Sequence, residues 1–382
     1  MSLTVEAQLR WGEQGQKAAA SALSWILQFR RLTKPSTGVN SKLMRQLYLA
    51  VTLPKMTYGL DVWYTPPRKP TEAAKSTGSV AALKAFQKVQ RVATLAITGA
   101  LRTTPNNFLN THAGVLLVEL ALLKVCYQAM VRMLTLPDTH PLHEVARKAQ
   151  NTQPVSHPSP IDNLLMEFRL AEEHIEVITP VKCLPALVPS FSIEIAKSRK
   201  DSVQNEKTDE ADYRIYSDGS GHNGKIGASA VIYKKGCHRP VGHRKARLGD
   251  KSRNTTFEGE VVGAILAVWL LRHTPGTLGK KVSVFTDNQA VLQAIRAPKA
   301  LSGQYLIRQL IEDANAASTT VSFKWISGHT GVCGNEEADR LAKEAAEGNA
   351  SRRTDLPPML RSSLPLSASA AKQDYMEHLK QC

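Results

Sequence analysis

Tyr213-Arg214-Ile215-Tyr216-Ser217-Asp218-Gly219-Ser220 sets a carboxylate at the end of a short apolar run, and three more carboxylates follow in comparable settings. They are Glu260 in Phe257-Glu258-Gly259-Glu260, Asp287 in Val284-Phe285-Thr286-Asp287-Asn288, and Asp339 in Glu337-Ala338-Asp339, the last preceded by Ser327-Gly328-His329. Working outward, Tyr213–Asp218 reads as a short strand, continued by antiparallel strands at Ile226–Lys234 and Arg239–Leu248 through Gly- and Lys-rich turns. Glu258–Arg272 is apolar over most of a helical circumference, so that helix is expected to be buried. Lys281–Thr286 and Thr320–Ile326 read as strands; Gln289–Ile295, Gln304–Ala316 and Asn335–Ala346 read as helices. The order β-β-β-α-β-α-α-β-α predicts an α/β fold, a mixed five-stranded sheet flanked by helices.

Each acidic residue has a plain explanation when taken alone. Asp218 could end a strand in a turn, Glu260 could favour a helix dipole, and Asp287 could cap the helix after it. Asp339 could be an ordinary exposed carboxylate, and His329 an idle loop residue. Together they fit a different demand. Hydrolysis of a phosphodiester at neutral pH needs an activated water and a neutralised leaving oxygen, which two Mg²⁺ ions roughly 4 Å apart supply. Mg²⁺ takes hard oxygen ligands, and carboxylates that converge without a cation repel one another at a cost to stability.

Tyr-Ser-Asp-Gly-Ser at 216–220, the helix from Gly259, Phe-Thr-Asp-Asn-Gln at 285–289, Trp-Ile-Ser-Gly-His-Thr-Gly at 325–331 and Gly-Asn-Glu-Glu-Ala-Asp-Arg-Leu-Ala-Lys at 334–343 resemble the successive blocks of type 1 ribonuclease H, over about Asp212–Glu347. The resemblance implies a ribonuclease H-like fold and hydrolysis of the RNA strand of RNA–DNA hybrids, with 2′-hydroxyl recognition selecting the strand. It implies two Mg²⁺ ions, with Mn²⁺ as a substitute, on Asp218, Glu260, Asp287 and Asp339. His329 would sit on a mobile loop and assist proton transfer or product departure. Glu260 and not Glu258 aligns as the ligand. Thr255 matches a threonine that binds a DNA-strand phosphate, and Gln289 a glutamine that touches the minor groove; simple capping chemistry is the competing reading of both. The short Arg296–Ala300 segment leaves little room for the basic, aromatic-rich protrusion of some family members, so substrate grip is expected from elsewhere, such as the N-terminal region.

Charge divides the 382 residues. Residues 1–150 hold 19 Lys/Arg against 7 Asp/Glu, residues 151–211 hold 6 against 10, and residues 212–346 hold 19 against 12. The overall +16 favours a polyanionic partner such as nucleic acid. Residues 1–150 read as a basic, mostly α-helical region, with helices expected at Ala18–Leu32, Ser41–Val51, Ala81–Ala96 and Leu116–Leu134 and with Lys84, Lys88 and Arg91 on one helix face. Residues 151–211 read as a Pro-rich acidic linker, flexible over Lys197–Glu210 and holding one short helix at Asp162–His174. Residues 212–347 are, by the resemblance, the ribonuclease H domain, and residues 348–382 read as a disordered tail. Five scattered cysteines without metal spacing predict a reduced, intracellular protein, in nucleus or cytoplasm. Met1–Leu32 lacks a compact apolar core, so no secretory signal is expected, and no run is long enough to span a bilayer.

The N-terminal stretch Leu47-Tyr48-Leu49-Ala50-Val51 … Tyr58-Gly59 … Val62-Trp63, then Gln87–Arg91 and Gly99–Pro105, resembles the region downstream of the polymerase in non-LTR retrotransposon proteins. No Asp-Asp pair occurs, so the polymerase's metal motif is absent. Two rivals stay open at this point. One is a catalytically silent retroelement remnant that binds nucleic acid. The other is an exonuclease or integrase-like enzyme of the same broad fold.

Overall fold

The computed structural model describes residues 3–6, 11–32, 38–69, 75–151, 159–170, 174–181 and 187–381. Two compact units emerge: Met1–Met133 with Glu144–Glu172 and His378–Cys382, and Leu134–His143 with Glu173–Glu377.

Up to residue 170 the described residues form helices: α1 (Gly12–Arg31), α2 (Ser41–Leu47), α3 (Leu53–Met56), α4 (Leu60–Trp63), α5 (Val80–Thr98), α6 (Asn106–Ala113), α7 (Val118–Leu134), α8 (Pro141–Asn151) and α9 (Pro160–Glu167). The expected spacing of apolar residues is what folds it: Leu83, Phe86, Val89, Ala93 and Ile97 line the buried side of α5, which packs against α1. Between α2 and α3 the chain forms one π-helical turn, Tyr48–Thr52. Pro54 has no N–H to continue an α-helical ladder there, a common cause of such a slip. Lys84 and Lys88 are exposed, whereas Arg91 turns back to the carbonyl oxygen of Thr104 at 3.1 Å. Arg91 therefore pins a loop and does not extend a cationic face.

The second unit holds β1 (Ser192–Glu194), α10 (Arg199–Lys207), β2 (Tyr213–His222), β3 (Lys225–Lys234), β4 (Gly242–Asp250), α11 (Thr256–His273), β5 (Lys281–Thr286), α12 (Gln289–Arg296), α13 (Gln304–Asn315), β6 (Thr320–Trp325), α14 (Cys333–Glu347) and α15 (Ala368–Gln381). The sheet order is β1-β6-β5-β2-β3-β4. β2, β3 and β4 pair antiparallel, while β2–β5, β5–β6 and β1–β6 are parallel. Side chains alternate along β2, so Ile215 enters the core shared with α11 and Tyr216 enters the one shared with α14. Glycines let both helices come close. A Cβ at Gly263 of α11 would stand 2.7 Å from the Asp218 carbonyl oxygen, and one at Gly227 of β3 would overlap the α14 backbone at Ala342 and Ala346.

Four expectations need correction. β2 does not end at Asp218 but runs on to His222, because β3 supplies partners as far as Lys225. The sheet has six strands, not five, since Ser192–Glu194 joins β6. The Lys197–Glu210 stretch is not a flexible linker: Ser198 caps α10, and Asp209 accepts from Ser283 Oγ at 2.7 Å and Lys324 Nζ at 3.0 Å. Of the expected disordered tail 348–382, the described residues 348–381 are ordered, as Leu356 and Leu364 join the main core and Ala368, Ala370 and Ala371 of α15 are buried. Pro154, Pro158 and Pro185 of the expected linker lie outside the described residues, and its expected helix appears earlier, as α9.

Glu176, 1% exposed, ties the flanking segments to the domain. Its carboxylate accepts from Gly303 N and Ala368 N, each at 2.7 Å, and from the Ser302 hydroxyl. Removing it orphans donors at the starts of α13 and α15. Glu176→Ala is therefore expected to cost about 3 kcal/mol in urea unfolding and to speed amide exchange in α15. Wild-type exchange rates in α15 would show that the helix is held by something else.

Candidate metal-ion site

Asp218, Glu260 and Asp287 converge from β2, α11 and the end of β5, with one ligand oxygen from each lying within 4.8 Å of the others. The local folding explains each placement. Asp218 sits inside β2 and is 5% exposed. Glu260 reaches it because α11 lies against Gly219, whose N–H donates to Glu260 Oε2 at 3.1 Å. Asp287 is free to face the cluster because Asn288, not Asp287, caps α12: its side-chain oxygen accepts from Ala290 N at 2.9 Å and Val291 N at 3.4 Å. The Trp325 indole N–H holds the Asp287 carbonyl oxygen at 3.0 Å.

Glu258 is engaged elsewhere. It closes a capping box with Thr255, accepting from Thr255 N at 2.7 Å. The Thr255 hydroxyl completes that box, so the structure places Thr255 at the N-cap of α11 and occupies it there. Gln289 opens α12 with its side chain partly exposed.

Asp339 is not part of the three-carboxylate cluster. It projects from α14 and is paired with Lys343 Nζ at 2.6 Å, yet its charge is felt by both Asp218 and Asp287. His329 has the left-handed φ of 54° in the loop after β6. That loop is anchored at Ser327, whose N–H donates to Ser202 Oγ of α10 at 3.1 Å, and it closes on itself where Thr330 Oγ1 donates to Ser327 O at 2.7 Å. It also presses on the cluster, since a Cβ at Gly328 would lie 2.6 Å from Asp287 Oδ2.

The electrostatics record crowding. Burial, then the neighbouring carboxylates Asp287 and Asp339, push Asp218 up to about 7. Burial, then Asp218 and Asp287, push Glu260 up to about 9. Burial also raises Asp287, opposed by a hydrogen bond from Asn335 and by His329. Asn335 on α14 and Asn288, which also hydrogen-bonds Glu260, were left without a role by the sequence reading. Both stand within blocks that it quoted, but an amide in a motif carries no charge signal of its own.

Three hard oxygen donors that burial and mutual repulsion hold toward the protonated form are a fitting set for Mg²⁺ or Mn²⁺. A divalent cation would relieve the repulsion that the protein leaves uncompensated.

Comparison with known proteins follows the same span. The RNase H family profile matches residues 210–347. A ribonuclease H of Stutzerimonas stutzeri is 34% identical over 144 residues, 34% of this chain and 87% of the relative. One from Thiobacillus denitrificans is 32% identical over 146 residues, 34% of this chain and 90% of its own length. Among solved structures, the N-terminal RNase H domain of a Mycobacterium tuberculosis protein aligns over 36% of this chain and 95% of its own, at 20% identity and a TM-score of 0.31.

Proposed function

The chain belongs to the ribonuclease H family, and from that premise we propose that its second unit hydrolyses the RNA strand of RNA–DNA hybrids, leaving 5′-phosphate and 3′-hydroxyl ends. The observation that carries the reading is the convergence of Asp218, Glu260 and Asp287 within 4.8 Å. These three would hold two Mg²⁺ ions, with Mn²⁺ as a substitute and Asp339 as the fourth carboxylate. The chemistry that two such ions supply when bound is a lowered water pKa and a stabilised leaving oxygen.

The remaining steps fall to side chains of this chain. Asn288 and Asn335 hold the Glu260 and Asp287 carboxylates by hydrogen bonds and so fix where the charge is presented. His329, whose charge reaches Asp287, stands where it can carry a proton to or from the departing product. Thr255 and Gln289, at the starts of α11 and α12, are proposed substrate contacts, Thr255 toward a DNA-strand phosphate and Gln289 toward the minor groove. The N-terminal blocks support a wider reading of the chain as part of a retroelement protein. Exposed free thiols at Cys237 and Cys333 support a reducing, intracellular setting. Among the described residues no single helix is long and apolar enough to cross a membrane.

The test is Mg²⁺-dependent cleavage of a labelled hybrid by the full chain, beside duplex RNA, duplex DNA and single strands. RNA-strand cutting of the hybrid is expected, falling at least about a thousandfold in Asp287→Asn. Hybrid binding without cutting would leave the silent nucleic-acid-binding alternative in its place.

A further inference from the structure

A pocket of about 460 Å³ opens beside the catalytic loop, walled by α10, the start of β2, the β3–β4 turn and residues 330–334. Lys207, Lys234, Lys235 and Arg214 line it against the single carboxylate of Glu206. Glu206 is already spent: it pairs with Arg214 at 3.1 Å and accepts from the Tyr216 hydroxyl at 2.5 Å. Lys207, Lys234 and Lys235 are exposed and have no ion-pair partner among the described residues, and His238 beside them adds a group that is cationic when protonated. The pocket therefore carries an excess of three positive charges within a domain whose catalytic cluster is acidic. Its floor includes Tyr216, two residues before Asp218, and its rim is the same loop that carries His329.

Grip on a polyanion has to come from somewhere. The α12–α13 connection, Ala297–Gly303, spans seven residues and offers one cation, Lys299. We propose that the lysine-lined pocket between α10, the β3–β4 turn and the loop after His329 is a second nucleic-acid subsite, which holds backbone phosphates of the strand engaged at the carboxylate cluster. Helix α10 lies outside the stretch that the family profile matches, so this subsite is built partly from residues beyond the matched domain. The same helix also anchors the catalytic loop through Ser202, so a strand seated here bears on both ends of that anchorage. The inference rests on the hybrid-nuclease reading for what is bound, not for whether it is cut.

Cys237 and Cys333 line this pocket and are exposed, which supplies a probe in the wild-type protein. The full chain is treated with N-ethylmaleimide in EDTA, so that no cleavage occurs, with and without a hybrid of about 20 base pairs, and alkylation at each cysteine is read by mass spectrometry. Roughly tenfold slower alkylation of both is expected with the hybrid bound. In K234A/K235A the protection is lost, and the slope of log affinity against log salt falls by about two, one per phosphate contact. Unchanged alkylation with the hybrid demonstrably bound overturns the subsite. Protection by inorganic phosphate alone at the same phosphate concentration overturns it too, in favour of a small-anion site. A wild-type chain that protects its thiols but does not cut hybrids leaves the subsite standing and removes the hydrolase reading.

Discussion

Glu260→Gln is expected to stabilise the metal-free chain at pH 8 and to abolish the proposed Mg²⁺-dependent cleavage. Burial first, then Asp218 and Asp287, hold the Glu260 carboxyl up to about 9, whereas an unfolded glutamate titrates near 4.3. Between those values the folded state keeps a proton that the unfolded state has lost, so stability falls as pH rises across that window. The amide cannot ionise and so removes this penalty, a gain on the order of 1–3 kcal/mol at pH 8 and close to none at pH 4. The Gly219 N–H keeps an acceptor in the variant, since the amide oxygen can occupy the place of Oε2. Mg²⁺ should raise the melting temperature of the wild type and leave that of the variant nearly unmoved. In the wild type the same linkage should make metal binding release protons, so Mg²⁺ affinity is expected to climb with pH from about 7 toward 9. Thermal unfolding at pH 4 and 8, with and without Mg²⁺, checks all of this. A variant no more stable than wild type at pH 8 would mean that the carboxylates do not crowd one another in solution.

Gly219→Ala is expected to be the most damaging small substitution in the domain. A Cβ at residue 219 would overlap the backbone of α11 at Gly259 and Glu260, and a buried helix backbone has no rotamer by which to yield. The helix must move off β2, at a cost above about 3 kcal/mol. Glu260 moves with it, and a shift of about 1 Å in a preorganised group costs roughly a hundredfold in rate even in the molecules that stay folded. Gly236→Ala is the matched control. Gly236 has a left-handed backbone, φ 77°, which Gly219 does not, but a Cβ there meets open space, so only the conformational cost of about 1 kcal/mol applies. Chemical denaturation of the pair separates the two effects; equal losses would show that close approach of α11 to the sheet is not what makes Gly219 necessary.

The stretch from β2 to α14 was legible because each element carries its own period. The short run Tyr213–Ser217 ahead of Asp218 reads as a strand, and the all-round apolarity of α11 as a buried helix. What escaped is held by means that leave little trace in hydropathy. β1 is three residues long, too short to show alternation. In α10 the buried residues are Ser202 and Glu206, which enter the interior through hydrogen bonds, so a polar sequence read as a linker. The last helix buries alanines, whose small side chains weigh little in a pattern count. Within the site, the order of the carboxylates was readable but their separation was not. Nothing in the sequence distinguishes Asp339, set apart on α14 and paired with Lys343, from the three that converge.

The pairing of β1 with β6 joins Ser192 to Ser322. During synthesis at about 5–20 residues per second, β1 therefore waits on the order of 10 s before its partner strand exists. Glu176 waits comparably long for residues 302 and 303, and longer for Ala368. Until then the β1 segment presents unpaired strand backbone to the cell. Nascent chains of this protein should thus engage holdase chaperones through the segment before β2, and a ribosome stall placed after β6 should release that hold.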